Sequence, residues 1–282
     1  MIAQLLRQND LIGCRYVEPY AGGAGAGLAL LLSGEVSELV INDLDPAIWS
    51  MWKAAVSNPQ EFIARVHSTA LNVAEWKRQK QIYASGRASD PFDLGFATFY
   101  LNRTNRSGIL NGGPIGGLDQ LGTYKIDARF NRSALAERIR LIGLHAESIV
   151  IANEDGSQLV LKQLRRKRTF IYADPPYFEK AGSLYMNTFA VKDHVRLAAV
   201  LNSANSKPWM LTYDDDPRVH ELYCNRSRSS ISLNYSAHRV SKAQEVLVLS
   251  DILSYVTSEA RTGPQRSEDR TAANDGVYEE GA

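Results

Sequence analysis

The apolar residues of this chain fall in short continuous runs, and most of these runs end at glycine-rich, acidic or proline-containing turns. Short apolar runs bounded by turn residues are typical of buried strands. A run that ends in proline cannot continue its ladder, because proline has no N–H to donate. We predict strands that begin at Tyr16, Val40, Ser148, Arg168 and Trp209, followed by an antiparallel pair at 231–235 and 245–249.

Helix signals lie between most of the predicted strands. Asp45 precedes Pro46, and Asn58 precedes Pro59, so a capping residue stands before a proline of the first turn in both places. The helical pattern after Pro59 continues with breaks to about residue 83. Strands that alternate with helices indicate an α/β fold with a mainly parallel sheet. Further helices are predicted at 28–32, 134–143 and 195–202.

Residues 96–117 lack a regular period. The stretch begins apolar at Phe96, turns polar through 102–107 and becomes glycine-rich at 111–117. A long segment without regular patterning inside a compact domain is usually a functional loop or disorder. Asn, Arg and Ser side chains can donate hydrogen bonds to phosphates and base edges. We therefore predict an irregular segment that contacts a polar ligand.

Composition narrows the class of protein. A chain of 282 residues with 44% hydrophobic content can bury a full core. The net charge is only +1, so any surface that binds nucleic acid must be a local basic patch. Cys14 and Cys224 are far apart and lack metal-ligand spacing, so we expect neither zinc nor a disulfide, and two buried thiols. Without a signal pattern or a membrane-length apolar run, a cytoplasmic protein is expected.

The strand predicted from Arg168 ends in Asp174-Pro175-Pro176-Tyr177, at the sheet edge where open α/β folds bind ligands. The amine of a heteroaromatic ring becomes a better nucleophile when acceptors hold its two hydrogens and draw its lone pair out of conjugation. The Asp174 carboxylate can accept one hydrogen and the Pro175 carbonyl the other, while Tyr177 can stack on the ring. The alternative is a strand-terminating turn with an exposed aspartate.

A glycine-rich turn at 18–27 follows the first predicted strand and leads into an apolar helix. Glycines let the backbone approach a ligand closely, and a helix amino end offers free N–H groups. Such a turn fits a nucleotide cofactor or tight packing. Asp43 and Asp45 follow the second strand, where Rossmann-type folds place an acid on a ribose hydroxyl. Asp43 suits that role and Asp45 a helix cap; in the alternative, both acids are caps.

Together these motifs resemble those of a known enzyme family. EPYxGG at 18–23 resembles motif I of S-adenosylmethionine-dependent DNA methyltransferases, and DPPY at 174–177 resembles motif IV of the amino-methyltransferases. With LNR at 101–103 between them, the order resembles the Dam-like, alpha-group adenine-specific DNA methyltransferases. The resemblance covers about residues 16–250. It implies a Rossmann-like S-adenosylmethionine-dependent methyltransferase fold, α/β in class, with an inserted, mainly helical target-recognition region.

The resemblance also implies a function and the residues that carry it. The expected activity flips adenine out of double-stranded DNA and methylates its 6-amino group directly from S-adenosylmethionine, without a metal. The implied catalytic residues are Asp174, Pro175, Pro176 and Tyr177. The implied cofactor-binding residues are Glu18, Tyr20, Ala21, Gly22, Gly23, Asp43 and Asp155, the last by similarity to motif III. The expected DNA-binding residues are Asn102, Arg103, Asn105, Arg106 and Ser107.

Within the expected DNA-binding segment, Arg106 and Ser107 replace a commoner aromatic-Asn pair of the family. We expect Arg106 to read the sequence or to fill the gap left by the flipped base, and Arg103 to position the segment. By the same resemblance, residues 183–189 border the target-base pocket. The basic run 165–168 is a solvated helix face or a phosphate contact, and His238, Arg239 and Lys242 form a small basic loop.

Three regions are predicted along the chain: a catalytic domain at 1–55 and 134–257, a target-recognition region at 56–133, and a disordered tail at 258–282. Two departures from the family stand out. The second glycine of motif I falls at Ala24, and no Pro-Gly-Gly-Lys segment precedes motif I, so we expect cofactor affinity below the family norm. The alternatives are the same chemistry on cytosine or RNA adenine, and a catalytically weak or inert DNA-binding relative. A cognate restriction nuclease is a candidate partner.

Overall fold

The computed structural model of the chain describes residues 1–178, 189–235 and 241–255. Its strands are β1 (Cys14–Glu18), β2 (Val36–Asn42), β3 (Ile149–Ala152), β4 (Thr169–Ala173), β5 (Trp209–Asp214), β6 (Ser227–Tyr235) and β7 (Ser241–Leu249). Its helices are α1 (Ile2–Gln8), α2 (Gly25–Leu32), α3 (Pro46–Ser57), α4 (Pro59–Ser68), α5 (Val73–Ser85), α6 (Pro91–Thr104), α7 (Arg132–Leu144), α8 (Gly156–Gln163), α9 (Val191–Ser203) and α10 (Pro217–Leu222).

The seven strands form one sheet in the order β3-β2-β1-β4-β5-β7-β6. The pairs among β1 to β5 are parallel, whereas β7 runs antiparallel to both β5 and β6. The strand order reverses between β1 and β4, and open α/β sheets bind ligands at such a reversal, beyond the carboxyl ends of the strands. The amino end of β7 reaches the same edge, because this strand runs in the opposite direction. This topology is the predicted α/β, Rossmann-like class.

Side chains alternate between the two faces of the sheet, so adjacent residues join different cores. Tyr16 packs in one buried cluster together with Phe170, whereas its neighbour Val17 packs in a second cluster with Ile171. A third cluster lies among helices α3 to α7. It includes Ala47 before the predicted start of the recognition region at 56, and it continues past 133, so helical packing is continuous across both predicted boundaries.

The prediction of an irregular segment at 96–117 is wrong for its first part, which belongs to helix α6. Asp90 caps this helix by accepting from the N–H groups of Phe92 and Asp93, and Pro91 occupies the first turn. The helix is buried on most of its surface and therefore lacks an amphipathic period. A Cβ at Gly95 would lie 2.4 Å from the carbonyl oxygen of Ser50, so glycine permits the close approach of α6 to α3.

The strand predictions agree with the observed sheet to within a few residues, including the final antiparallel pair. Cys14 is buried as expected, but Cys224 is exposed, which corrects the expectation of two buried thiols. In the part of the chain that the structure describes, no helix is long and apolar enough to cross a bilayer. His238, Arg239 and the predicted tail at 258–282 lie outside the described residues, as does the Lys242 side chain.

Candidate active site

Asp174 stands immediately after β4 and is held by residues of two neighbouring segments. Its Oδ1 atom accepts a hydrogen bond from the hydroxyl of Thr212 on β5 at 2.9 Å, and the hydroxyl oxygen of Tyr177 lies 3.2 Å from the same Oδ1 atom. The Tyr172 hydroxyl lies 3.0 Å from the Thr212 oxygen, and it donates there because the Thr212 hydrogen is directed at Asp174. The carboxylate orientation is therefore fixed from the strand below it.

These contacts leave two acceptors at the strand end without protein donors. Within the described residues, no hydrogen bond reaches Oδ2 of Asp174, and none reaches the carbonyl oxygen of Pro175. The two groups belong to adjacent residues, and a primary amine has two hydrogens to donate. Asp174 is exposed to solvent, so its carboxylate is accessible to a ligand.

Burial among protein atoms raises the pKa of Asp174 to about 6, and the nearby Glu245 carboxylate adds to the rise. The hydrogen bond from Thr212 acts in the opposite direction, because it stabilises the ionised form. Solvent reaches the Asp174 carboxylate, but protein atoms around it replace part of the water that would hydrate a free carboxylate. Asp174 is ionised, and able to accept through both oxygens, above about pH 6.

The glycine-rich turn after β1 is joined to the end of β2 by Asp43. The carboxylate of Asp43 accepts from the N–H of Gly22 at 3.0 Å through one oxygen and from the N–H of Asp45 at 2.9 Å through the other. Burial raises the pKa of Asp43 to about 6. Each oxygen keeps a further lone pair for a hydroxyl donor. Asp45 caps α3 through the N–H of Ala47, as predicted.

The turn presents open backbone to the crevice. Gly22 has φ +47, and no atom lies within 4 Å of a Cβ placed on Gly22, Gly23 or Gly25. Ala24, where the family pattern has glycine, takes the left-handed conformation with φ +44 and caps α2. Alanine in place of glycine therefore still forms the turn, but its left-handed backbone conformation is strained. Open backbone beside the half-buried Asp43 fits a nucleoside-containing cofactor.

Tyr20 and Asp155 meet on the β3 side of the same crevice. A Cβ at Gly156 would lie 2.4 Å from the ring of Tyr20, so glycine allows the ring to pack against the start of α8. The carboxylate of Asp155 caps α8 and forms an ion pair with Arg196. Phe189 packs edge-on against Tyr20 with the ring centroids 5.5 Å apart. The rest of the predicted pocket border, residues 183–188, lies outside the described residues.

Glu18 lies beneath the turn instead of facing the crevice. Its side chain is 4% exposed and accepts from the N–H of Gly27 at 2.7 Å, inside the first turn of α2. Burial raises the pKa of this carboxyl to about 7. A Cβ at Gly27 would meet the Glu18 carboxylate at 3.0 Å, so the two residues fit closely. The predicted cofactor residues Tyr20 to Gly23 and Asp43 are thus brought together, with Glu18 supporting the turn from below.

The residues expected to bind DNA divide into buried and exposed groups. Asn105 is fully buried; its Oδ1 accepts from Trp76 Nε1 at 2.7 Å and its amide donates to the Ile109 carbonyl at 2.7 Å. Arg106 and Ser107 are exposed, and Ser107 has φ +54. Asn102 and Arg103 lie in the last turn of α6, where the Asn102 amide donates to the Gly108 carbonyl. Only part of the segment is therefore free to contact a partner.

Sequence reasoning missed a rigid loop that follows this segment. The amide of Gln120 donates to the carbonyls of Ile115 and Gly117 and accepts from the N–H of Ile126. The loop exposes Leu121 and Tyr124, which are 86% and 73% accessible. Large apolar side chains on an ordered loop indicate a contact surface. The glycines within 112–122 were the sequence signal for such a loop. Gly116 and Gly117 both have positive φ, a conformation that glycine adopts readily.

Sequence reasoning also missed Thr212 and Glu245. Thr212 is a hydroxyl in an apolar strand, and Glu245 is a buried acid at the start of the apolar run Val246–Leu249, so each was visible only as a break in pattern. Neither residue is near Asp174 in sequence. The sheet places both beside the motif at 174–177, through the ladder of β5 with β7.

Comparison with known proteins adds independent findings. A sequence model described as "D12 class N6 adenine-specific DNA methyltransferase" matches residues 2–241. The chain is 21% identical over 216 residues to the Type II methyltransferase M.CviBI of Paramecium bursaria Chlorella virus NC1A, covering 74% of this chain and 76% of that protein. Among solved structures, the rRNA methyltransferase aviRa from Streptomyces viridochromogenes aligns with 89% of this chain and 84% of its own, at 14% identity and a TM-score of 0.40.

Proposed function

We infer the roles of individual residues from one premise: the chain belongs to the D12 class N6 adenine-specific DNA methyltransferase family. The protein is therefore an S-adenosylmethionine-dependent enzyme that methylates adenine in DNA. What remains to be assigned is which side chains hold the reacting amine, the cofactor and the DNA. The carboxyl edge of the sheet supplies candidates for each.

Asp174 and Pro175 are the proposed acceptors for the 6-amino group. The observation that carries this assignment is that Asp174 Oδ1 is held by Thr212, whereas Oδ2 and the Pro175 carbonyl have no donor within the described residues. Accepting both amine hydrogens localises the nitrogen lone pair and directs it away from the ring. Oriented acceptors of this kind act by positioning and electrostatics, so neither a metal ion nor a covalent intermediate is part of the proposal.

The cofactor-binding residues in the proposal are those that line the open turn. S-adenosylmethionine, when bound, supplies the methyl group on a sulfonium that acts as the electrophile. The backbone of Gly22 and Gly23 faces open space, and Asp43 retains lone pairs for ribose hydroxyls. Tyr20 and Asp155 form the opposite side of the crevice. Glu18 is assigned an indirect part, since it holds the N–H of Gly27.

The target adenine is proposed to leave the duplex and stack on Tyr177. Chemistry on a base inside a duplex requires that the base be extruded, because the stack hides its reactive atom. Tyr177 and Phe178 both pack near Tyr213, with ring centroids 6.1 Å and 6.0 Å from it, so the Tyr177 ring belongs to a group of aromatic side chains next to Asp174. Such surface suits a purine ring.

Recognition of double-stranded DNA is assigned to the exposed part of the 102–107 segment and to the loop after it. Arg106 is exposed and lies near the loop, since a Cβ on Gly117 would be 3.9 Å from its guanidinium. The Nε atom of Arg103 is buried and has no hydrogen-bond partner among the described residues, and burial together with Arg129 and Arg138 lowers the pKa of this side chain. Neighbouring guanidinium groups suit a phosphate. Asn105 is assigned a structural role, because its side chain bonds are all internal.

A restriction nuclease of the same target sequence is a proposed partner. The support is the similarity to a viral protein that is named a Type II methyltransferase. Adenine methylation at a shared site would protect the cell's DNA from such a nuclease. The nuclease and the methyltransferase would act on the same DNA sequence, and the two proteins need not contact each other.

Nucleoside analysis tests the proposed function. The purified chain is incubated with labelled S-adenosylmethionine and unmethylated duplex DNA, and the DNA is digested to nucleosides. Label in N6-methyldeoxyadenosine is the expected result. A parallel reaction contains RNA in place of DNA. Label in N4-methyldeoxycytidine, label in the RNA reaction alone, or no transfer by a folded chain that binds the cofactor would each overturn the assignment of the amine site.

A further inference from the structure

Glu245 is a buried carboxylate in direct contact with the 174–177 motif. It is 3% exposed and lies at the active edge, because β7 runs antiparallel to its neighbour β5. The Tyr177 hydroxyl donates to Glu245 Oε1 at 2.9 Å. The same hydroxyl lies 3.2 Å from Asp174 Oδ1, so two carboxylates stand on either side of one phenol.

Glu245 interrupts the apolar pattern of its strand. Its side chain is buried, and the residue paired with it across the β5–β7 ladder is Asp214. The next four residues, Val246 to Leu249, are apolar and buried, which is the pattern an interior strand favours. An acid that breaks an apolar strand and contacts the 174–177 motif points to a functional role.

The phenol has a single hydrogen, and its direction decides what Asp174 can do. If Tyr177 donates to Asp174, then Oδ1 of Asp174 is engaged by two hydroxyls and the carboxylate is a weaker acceptor. The distance from the phenol oxygen to Glu245 is 2.9 Å and the distance to Asp174 is 3.2 Å, so the shorter contact is the one to Glu245. Donation to Glu245 therefore leaves the Asp174 carboxylate available for the amine, and it fixes the tilt of the Tyr177 ring.

We propose that Glu245 is a positioning residue for methyl transfer: it takes the hydroxyl hydrogen of Tyr177, sets the orientation of the ring against the target base, and leaves Asp174 free to accept from the 6-amino group. This inference rests on the proposed function, because it assigns Asp174 and Tyr177 the roles described above. Glu245 touches neither the base nor the cofactor and acts through the phenol of Tyr177.

A double-mutant cycle between Glu245 and Tyr177 tests the proposal. Glu245→Leu removes the acceptor, and Tyr177→Phe removes the hydroxyl while keeping the ring. Methyl transfer to unmethylated DNA is measured at saturating S-adenosylmethionine and DNA. Each single variant is expected to lower kcat about tenfold with the KM for S-adenosylmethionine unchanged, and the double variant to be no slower than the slower single variant. Glu245→Gln, which keeps a neutral acceptor, is expected to fall between wild type and Glu245→Leu.

Two results would overturn the positioning role. One is a wild-type kcat in Glu245→Leu, and the other is a double variant about a hundredfold slower, in which the two losses multiply as independent effects do. Val248→Ala is the matched control on the same strand, expected to lose stability with kcat unchanged. If Glu245→Leu does not fold, Glu245→Gln with Tyr177→Phe provides the cycle: a smaller loss in Glu245→Gln that disappears in the Tyr177→Phe background is expected, and a wild-type kcat in Glu245→Gln or losses that multiply would overturn the role. Asp174→Ala is assayed beside them: activity retained there overturns the proposed function itself, whereas activity lost there with multiplying effects overturns only the role of Glu245.

Discussion

The hydroxyl of Thr212 donates to Oδ1 of Asp174 at 2.9 Å, which joins the middle of β5 to the residue that follows β4. This hydrogen bond determines which carboxylate oxygen the protein holds and which one has no donor among the described residues. Since Thr212 is 2% exposed, the contact is shielded from water and holds the carboxylate firmly. The reactive geometry is therefore set by the sheet and does not depend on the turn alone.

Removal of the Thr212 hydroxyl is expected to slow methyl transfer. Thr212→Val keeps the shape of the side chain but frees Asp174 Oδ1, and loss of a hydrogen bond to a charged group is worth about 1.5–3 kcal/mol, or roughly tenfold or more in rate. Thr212→Ser retains the hydroxyl and is expected to keep most of the activity. Single-turnover rates of the two variants test the difference, and equal rates would show that the anchor has no part in chemistry.

The rate of methyl transfer is expected to fall as the pH is lowered through about 6, because protonated Asp174 loses an acceptor oxygen. Burial raises the pKa of Asp174, and the Thr212 hydrogen bond opposes that rise, so Thr212→Val moves the acid limb to higher pH. The measurement is kcat against pH at saturating cofactor, with circular dichroism to confirm folding. An acid limb that stays in place in Thr212→Val would contradict the assignment of the limb to Asp174.

Asp43 is expected to contribute to cofactor affinity in a way that Asp45 does not. Asp43→Ala removes a charged acceptor beside the open turn and also releases the N–H of Gly22, so binding of S-adenosylmethionine weakens by about 1.5–3 kcal/mol or more. Asp45→Ala removes a helix cap and is expected to cost about 1 kcal/mol of stability with cofactor affinity retained. Titration calorimetry of both variants provides the comparison, and equal affinities would remove Asp43 from the cofactor site.

Arg106 is expected to determine which DNA sequences are methylated. Loss of a base contact costs about 1–3 kcal/mol and relaxes specificity at one position, whereas loss of a phosphate contact weakens all sequences and lowers the salt slope by about one unit. Arg106→Ala is assayed by sequencing methylated sites and by DNA binding across a salt series. Arg140→Ala, which removes an exposed cation of an ion pair on α7, is the matched control. If site preference, rate and salt slope all match the control, the segment is structural.

The parts of the candidate site that lie at strand ends could be predicted from the sequence, because each is marked by residues that are neighbours in the chain. Asp174, Asp43 and the glycine-rich turn each follow an apolar run, and parallel strands bring their carboxyl ends to one edge. Thr212 and Glu245 could not be predicted, since their contacts with the motif arise from strand pairing between distant parts of the chain. A polar residue within an apolar strand is a weak signal when its partner is unknown.

The recognition region was harder to predict for a different reason. Helix α6 is apolar on most sides because it is enclosed by other helices, so no hydrophobic period marks it. Asn105 was expected to face DNA because its side chain is polar, yet Trp76 and two carbonyl groups engage it in the interior. A polar side chain in a glycine-rich segment can serve a loop's own structure as well as a ligand.

The most direct test of this account compares Asp174→Ala with the wild-type chain in two measurements on the same preparation. Methyl transfer to adenine in DNA is expected to fall roughly a hundredfold or more, while calorimetry shows S-adenosylmethionine affinity close to wild type, because the carboxylate holds the target amine and not the cofactor. Asp251→Ala, an exposed acid beyond the far end of β7, is the matched control and is expected to keep both properties. Methylation by Asp174→Ala at a rate near wild type would contradict the proposed role of the motif.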